Sequence, residues 1–143
     1  MVKKFGEDPY REYLQVGLNN VGSYQVAGYP WITGSQIDDA HEHRHQFPTV
    51  ARSVTVILSG NVSTHANPIR VHFTSTGSID WGPISGNHYV GLDGDDDAVT
   101  FNCKCREIYV SADDGDSAYQ IFAELTGIGP DRMYELTGSG LTD

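Results

Sequence analysis

The side chains with the most chemical reach crowd into one segment, Asp38-Asp39-Ala40-His41-Glu42-His43-Arg44-His45. On an extended strand, alternation would put His41, His43 and His45 on one face, where imidazoles can meet a transition-metal ion. A metal site ordinarily recruits a further His or carboxylate from elsewhere in the chain. Spacing alone does not bring His65, His72 or His88 to these three. Residues 35–46 are therefore read as a polar, acidic, His-rich loop with solvated imidazoles. No metal is assigned, and His41, His43 and His45 stand as the candidate ligands should one bind.

A second chemical pattern is Asp93, Asp95 and Asp97, the spacing that opens an EF-hand calcium loop. The match then fails. Ala98 stands where the loop needs Gly, Lys104 where it needs Glu, and the flanks read as strands. A charged hairpin tip that discourages edge pairing is the reading adopted. Cys103 and Cys105 sit one residue apart on what reads as a single strand, with both thiols on one face. A bridge between them would be strained, and neither the C-x₂-C spacing of a zinc site nor a second ligand pair is present. They are read as small core hydrophobes. Asn61-Val62-Ser63 matches a glycosylation sequon by chance, since no secretory signal accompanies it. Serines and histidines are numerous, but there is no G-x-S-x-G elbow. A strand-only glycosidase of this size would be exceptional. The chain is read as a non-enzyme with no catalytic residue and no cofactor. Tyr24, Tyr29, Trp31 and Trp81 lie in or beside loops. They are the interface or binding candidates, suited to a sugar-binding face or a protein contact, unless each fills the core end of its loop.

The elements that must position these groups read as short alternating strands. Residues 49–58, 69–73, 99–105 and 119–125 carry apolar side chains at every second position, so one face is buried and the other faces water or a partner. Two earlier strands are expected over Tyr13–Leu18 and Val21–Val26, joined by a turn at Asn19-Asn20. Gly28–Gly34 reads as a turn-rich aromatic segment whose Pro30 cannot lie in a central strand. Asn87–Leu92, Arg106–Ser111 and Ser117–Leu125 complete the strands, and Asp131–Leu136 is one more strand or a short helical turn. Turn signals recur every ~8–12 residues, the rhythm of a sandwich or barrel. The expected fold is all-β, an antiparallel, jelly-roll-like β-sandwich over residues 13–136. An N-terminal arm (1–12) precedes it and a Gly-rich tail (137–143) follows.

The chain has 143 residues and a net charge of −10. Such an acidic surface lacks the Lys and Arg that grip phosphate or an anionic membrane. It favours solubility, or a place on the outside of an assembly. The hydrophobic share of 38% makes the core modest, so part of the stability is expected to come from association with other chains. Met1–Phe5 carries two lysines without an apolar stretch behind them, which reads as a protein made in a cytoplasm.

Several phrases together resemble small virion structural proteins of large tailed bacteriophages, including those of aquatic bacteria. They are Tyr13–Val26, Ile69–Phe73, Asn87–Leu92, Val99–Ser111, Phe122–Ile128 and the tail Leu136–Asp143. The likeness runs over most of the chain and contains no catalytic motif. It implies a β-sandwich or jelly-roll protein of the particle. The first expectation is a capsid decoration (cement) protein on the outer capsid surface, bound to the major capsid protein or other virion proteins and trimeric. A neck, tail or baseplate component, or a carbohydrate- or receptor-binding module, is the alternative. An arm and a Gly-rich tail that order on binding would suit a shell-stabilising role.

Overall fold

The computed structural model describes residues 17–22, 28–38, 41–59, 68–75, 88–112, 115–138 and 140–141. Among these, seven strands are hydrogen-bonded into one antiparallel sheet: β1 (Tyr29–Ile37), β2 (Glu42–Leu58), β3 (Ile69–His72), β4 (Val90–Leu92), β5 (Ala98–Phe101), β6 (Cys105–Ala112) and β7 (Ser117–Leu125). The spatial order is β1-β7-β2-β6-β3-β4, with β5 also on β2. This is an all-β, jelly-roll-like sandwich.

The seventeen-residue strand β2 belongs to both layers. Its first part, Glu42–Gln46, pairs with Ser111–Glu107 of β6. Its last part pairs with β7 on one side, Ser53↔Glu124 to Leu58↔Tyr119, and with β5 on the other, Val54↔Phe101 to Ile57↔Ala98. Between Gln46 and Ala51 the register shifts. Pro48 falls inside that interval, where its missing N–H breaks no ladder bond. Just beyond it, between Ala51↔Cys105 and Val54↔Phe101, the opposing segment breaks its own strand at Asn102–Lys104, and the β2–β7 register shifts between Ala51 and Ser53. Both sides of the ribbon therefore bend at one corner, and the two halves fold over each other. The corner is sealed by Val50, Ile128 and Met133, all buried, with the 3₁₀ turn Pro130–Arg132 beside them. Val50 donates its N–H to Ile128 O at 2.9 Å, and Thr126 donates both N–H and Oγ1–H to Val50 O.

Alternation decides what lies inside. On β7 the buried residues are Ser117, Tyr119, Ile121, Ala123 and Leu125, while Gln120 and Phe122 face out. Val54, Val56 and Leu58 of β2 join them from the next strand, and Ile108, Val110 and Ala112 of β6 face them with Ile69 and Val71 of β3. Edge-to-face aromatic pairs, Trp31 on Phe47 at 5.0 Å and Phe73 on Phe101 at 5.3 Å, sit at the margins of this core.

Several sequence expectations are corrected. Residues 35–46 are not a loop: β1 runs to Ile37 and β2 starts at Glu42. Polar residues fit a strand there because one face of this layer carries only polar partners. Gly28–Gly34 is largely strand, and Pro30 is tolerated because, among the described residues, β1 pairs only with β7 and forms an edge. The acidic segment 93–97 is not a hairpin tip. β4 pairs with β3 and β5 pairs with β2, so the segment crosses between ladders. It is pinned to the end of β2 by Leu58 N–H to Asp97 O and Asp96 N–H to Leu58 O, with Asp96 in the left-handed region at φ 64°. Val99–Cys105 is two strands separated by the corner, so only Cys105 is a strand residue; it is fully buried, and Cys103 is half-buried. The turn at Asn19-Asn20 is present, with Asn20 N–H on Gly17 O. The strands expected around it lie largely outside the described residues, as do the arm, Tyr24 and Trp81. Asp131–Leu136 opens on the 3₁₀ turn and adds no strand.

Ile121 is fully buried at the centre of β7, and Ile32 is 72% exposed on β1. Ile121→Ala is expected to cost about 2–5 kcal/mol in urea unfolding. Ile32→Thr should change stability by no more than ~0.5 kcal/mol. Equal losses at both positions would mean that the two faces have been assigned wrongly.

Candidate functional site

Three places concentrate functional groups. The first lies inside the fold. His43 pairs with Val110 and His45 with Ile108, so both imidazoles share the inward face of β2. The bend carries them over Tyr119 of β7. His43 Nδ1 is 2.9 Å and His45 Nε2 2.6 Å from Tyr119 Oη. One phenol proton can serve only one of these contacts, so one ring donates to the oxygen and the other accepts from it. Burial lowers the pKa of both imidazoles and raises that of the tyrosine, so all three are held neutral. His41, the third histidine of the sequence motif, is exposed ahead of β2 and does not join them. His72 is on the opposite face of the layer, and His65 lies outside the described residues. Tyr119 is the group that sequence reading missed. It is 74 positions from His45, and nothing local signals the meeting.

The second place is that opposite face. His72 is buried and stacks on Tyr109 at 5.7 Å with 12° between the rings. Its Nδ1–H donates to Thr74 O at 2.7 Å, which fixes the tautomer, and its Nε2 accepts from Ser111 Oγ–H at 2.7 Å. A serine paired with an oriented histidine is the arrangement of an activated nucleophile. Here Ser111 is 2% exposed and His72 3%, so no substrate reaches either. The pair is an internal strut. Glu42 Oε2 stands 3.9 Å from His72 Nε2 while its Oε1 accepts from Ser75 Oγ–H. Arg44 and Glu107 pair along the same face.

The third place is the outer face of the layer built from β1, β7, the end of β2 and β5. Registered neighbours line up in rows across it. Ile32 lies beside Phe122, Phe122 beside Thr55, and Thr55 beside Thr100, with the two threonine hydroxyls 2.8 Å apart. The next row runs Gly34, Gln120, Ile57, Ala98. These rows hold no charge. At one end, Arg52 and Glu124 neutralise each other at 2.6 Å beside a shallow, open depression of about 480 Å³ that reaches Phe122 and Cys103. The hydrogen bond between the two cysteines lowers the Cys103 pKa and raises that of Cys105, which burial raises further.

Of the aromatic candidates, Tyr29 is 70% exposed at the start of β1. Trp31, two residues on, packs against Phe47 and is committed to the core margin. Tyr24 and Trp81 lie outside the described residues, so the four are not placed together.

Burial depresses the pKa of His72, with the Arg70 charge acting in the same sense and the Thr74 carbonyl and Glu42 opposing. A histidine whose folded pKa lies below its unfolded value contributes stability above the unfolded value of about 6.5, and that contribution is lost as pH falls towards the folded one. Urea unfolding should therefore show the protein weakening as pH drops below about 6.5. His72→Gln should reduce that slope while lowering stability at pH 7.5. His43 and His45 act in the same direction and account for the slope that remains. A slope unchanged in His72→Gln would contradict the neutral, buried assignment.

No protein-family model matches the chain, and no curated protein does. Among solved structures it is similar to a de novo designed double-stranded β-helix, at 11% identity and a TM-score of 0.40, over 66% of this chain and 99% of that one.

Proposed function

We propose that the chain is a structural protein of a tailed-phage virion, a capsid decoration (cement) protein that binds the outer capsid surface and stabilises the shell. The observation that carries this reading is the pair of uncharged rows across the middle of the outer face, in a chain of net charge −10. Ile32 is 72% exposed and Phe122 37% exposed in the same row. A layer that only met solvent would have charges between such residues; a layer that docks does not. The acidity of the rest of the chain suits an outward position, away from packaged nucleic acid.

The size of the face argues for attachment by several copies. Four strands at ~4.8 Å spacing and about six residues along each give on the order of 300 Å². A stable contact buries about 800 Å² per partner. A homotrimer presenting three such faces to a symmetric shell closes that gap, because each further contact is intramolecular once the first has formed. A neck, tail or baseplate position would use the same face. The carbohydrate-binding alternative loses one of its aromatic anchors, since Trp31 packs on Phe47.

Phe122→Asp with Ile32→Asp should leave the circular dichroism spectrum and the sedimentation coefficient unchanged and abolish co-sedimentation with shells of the protein's own particle. Gold-labelled antibody should decorate the shell in electron micrographs of intact particles. Label confined to the neck or tail would select the alternative position, and particles free of label would overturn the virion reading.

A further inference from the structure

We propose that His43, His45 and Tyr119 form a binding site for one divalent transition-metal ion of the zinc or copper class. The claim is independent of the virion reading and goes beyond it. Three donor atoms from two strands of opposite layers converge: His43 Nδ1 and His45 Nε2 lie 2.9 and 2.6 Å from a single oxygen, Tyr119 Oη. Around an ion with ligands at about 2.0–2.1 Å, neighbouring donors lie roughly 2.9–3.4 Å apart. Opening the present contacts by a few tenths of an ångström makes room for one.

The chemistry of the donor set agrees. Two neutral imidazoles and a phenol oxygen are the borderline ligands that zinc and copper(II) prefer, and they are a poor set for calcium or magnesium. A ligand imidazole must be unprotonated, and burial already keeps both rings so. Among the described residues no cluster of three or more His, Cys, Asp and Glu side chains could hold a metal; the third donor of the proposed site is the tyrosine oxygen, placed there by its contacts with both rings. Binding replaces two hydrogen bonds with three metal–ligand bonds. The ring that donates to Tyr119 Oη releases that proton and takes one up on its other nitrogen; the ion then takes a lone pair from each imidazole nitrogen and from the phenolate, and the phenol proton leaves to solvent. No electron is transferred. Three protein ligands leave a tetrahedral ion one open position for water or an external donor. The Asp38 carboxylate acts on His43 in the sense that favours a cation, against the larger opposing effect of His41, and the chain as a whole carries a net charge of −10. Both histidines are only half-buried, which leaves an approach from the rim where His41 is exposed.

The fold supplies the pre-organisation. His45 is two residues before Phe47, which is clamped on Trp31, and both imidazoles lie over a ladder of fully buried partners, Val110 and Ile108. The rings therefore cannot swing freely, and little ordering has to accompany binding.

The test uses the full chain stripped with a chelator, then zinc chloride and copper sulfate separately. Titration calorimetry should give one zinc ion per chain with proton release, and thermal unfolding should shift upward with zinc. His43→Ala and His45→Ala should each weaken zinc by at least the order of 10–100-fold that even outer-shell losses produce. His41→Ala should bind as the parent does. Copper should give a visible phenolate-to-copper charge-transfer band in the parent and none in Tyr119→Phe. If a histidine variant fails to fold by circular dichroism, the copper band in the parent protein decides, and its absence overturns the proposal. Parent-like zinc affinity in both His43→Ala and His45→Ala, or no stoichiometric zinc binding by the parent, overturns it as well.

Discussion

The bend in one long β-ribbon is the constraint on which the rest depends. β2 and its partner, split into β5 and β6, would make a flat two-layer-long ladder if both strands were continuous. The register shift between Gln46 and Ala51 on one side and the interruption at Asn102–Lys104 on the other follow each other along the ribbon, meeting at the Ala51↔Cys105 pair. Pro48 is tolerated in that interval because a bulge asks for no N–H there. Folding at this corner turns a single sheet into two facing layers. Everything inside the sandwich is a consequence: His43 and His45 over Tyr119, Trp31 on Phe47, and the small sealing cluster of Val50, Ile128 and Met133.

The same bend separates two kinds of polarity. The layer made of the start of β2, β6 and β3 buries His72 and Ser111 on its far face, and each finds its partner at 2.7 Å. Left unpaired, such groups would each cost about 1–3 kcal/mol, so the hydrogen bonds are what make that face stable. The other layer turns outward a row of Ile, Phe and Thr with no charge among them. Between the two layers sits the His–Tyr cluster, neutral because water is partly excluded. Among the described residues, charges thus gather on loops, on the His72 face and in the Arg52–Glu124 pair, and the central rows of the other face stay neutral.

How much could be read from the residues varied with how local the cause was. Strand β7 was legible in full over Ser117–Leu125, because alternation of buried and exposed side chains repeats through it. β3 and the start of β6 were close to their observed bounds, although β6 buries both faces over Ile108–Ala112. The region 28–46 was misjudged: Pro30, the histidines and the acidic residues look like loop chemistry when read alone. Pro30, Glu42, His43, Arg44 and His45 are strand residues, because an edge position among the described residues excuses the proline and a hydrogen-bonded outer face excuses Glu42 and Arg44. The acidic segment at 93–97 looked like a hairpin because both neighbours were strands, and only pairing partners reveal that it crosses between ladders.

Composition and periodicity were enough to determine an all-β, antiparallel, acidic chain with one apolar stripe per strand, since each depends on residue type and a spacing of two. Tertiary structure alone decided which histidines face inward, which tyrosine they meet, and that Trp31 belongs to the core margin while Ile32 and Phe122 face out. The physical reason is range. Alternation acts between neighbours along the chain, whereas the contact of His45 with Tyr119 closes across 74 positions and exists only once the ribbon has bent.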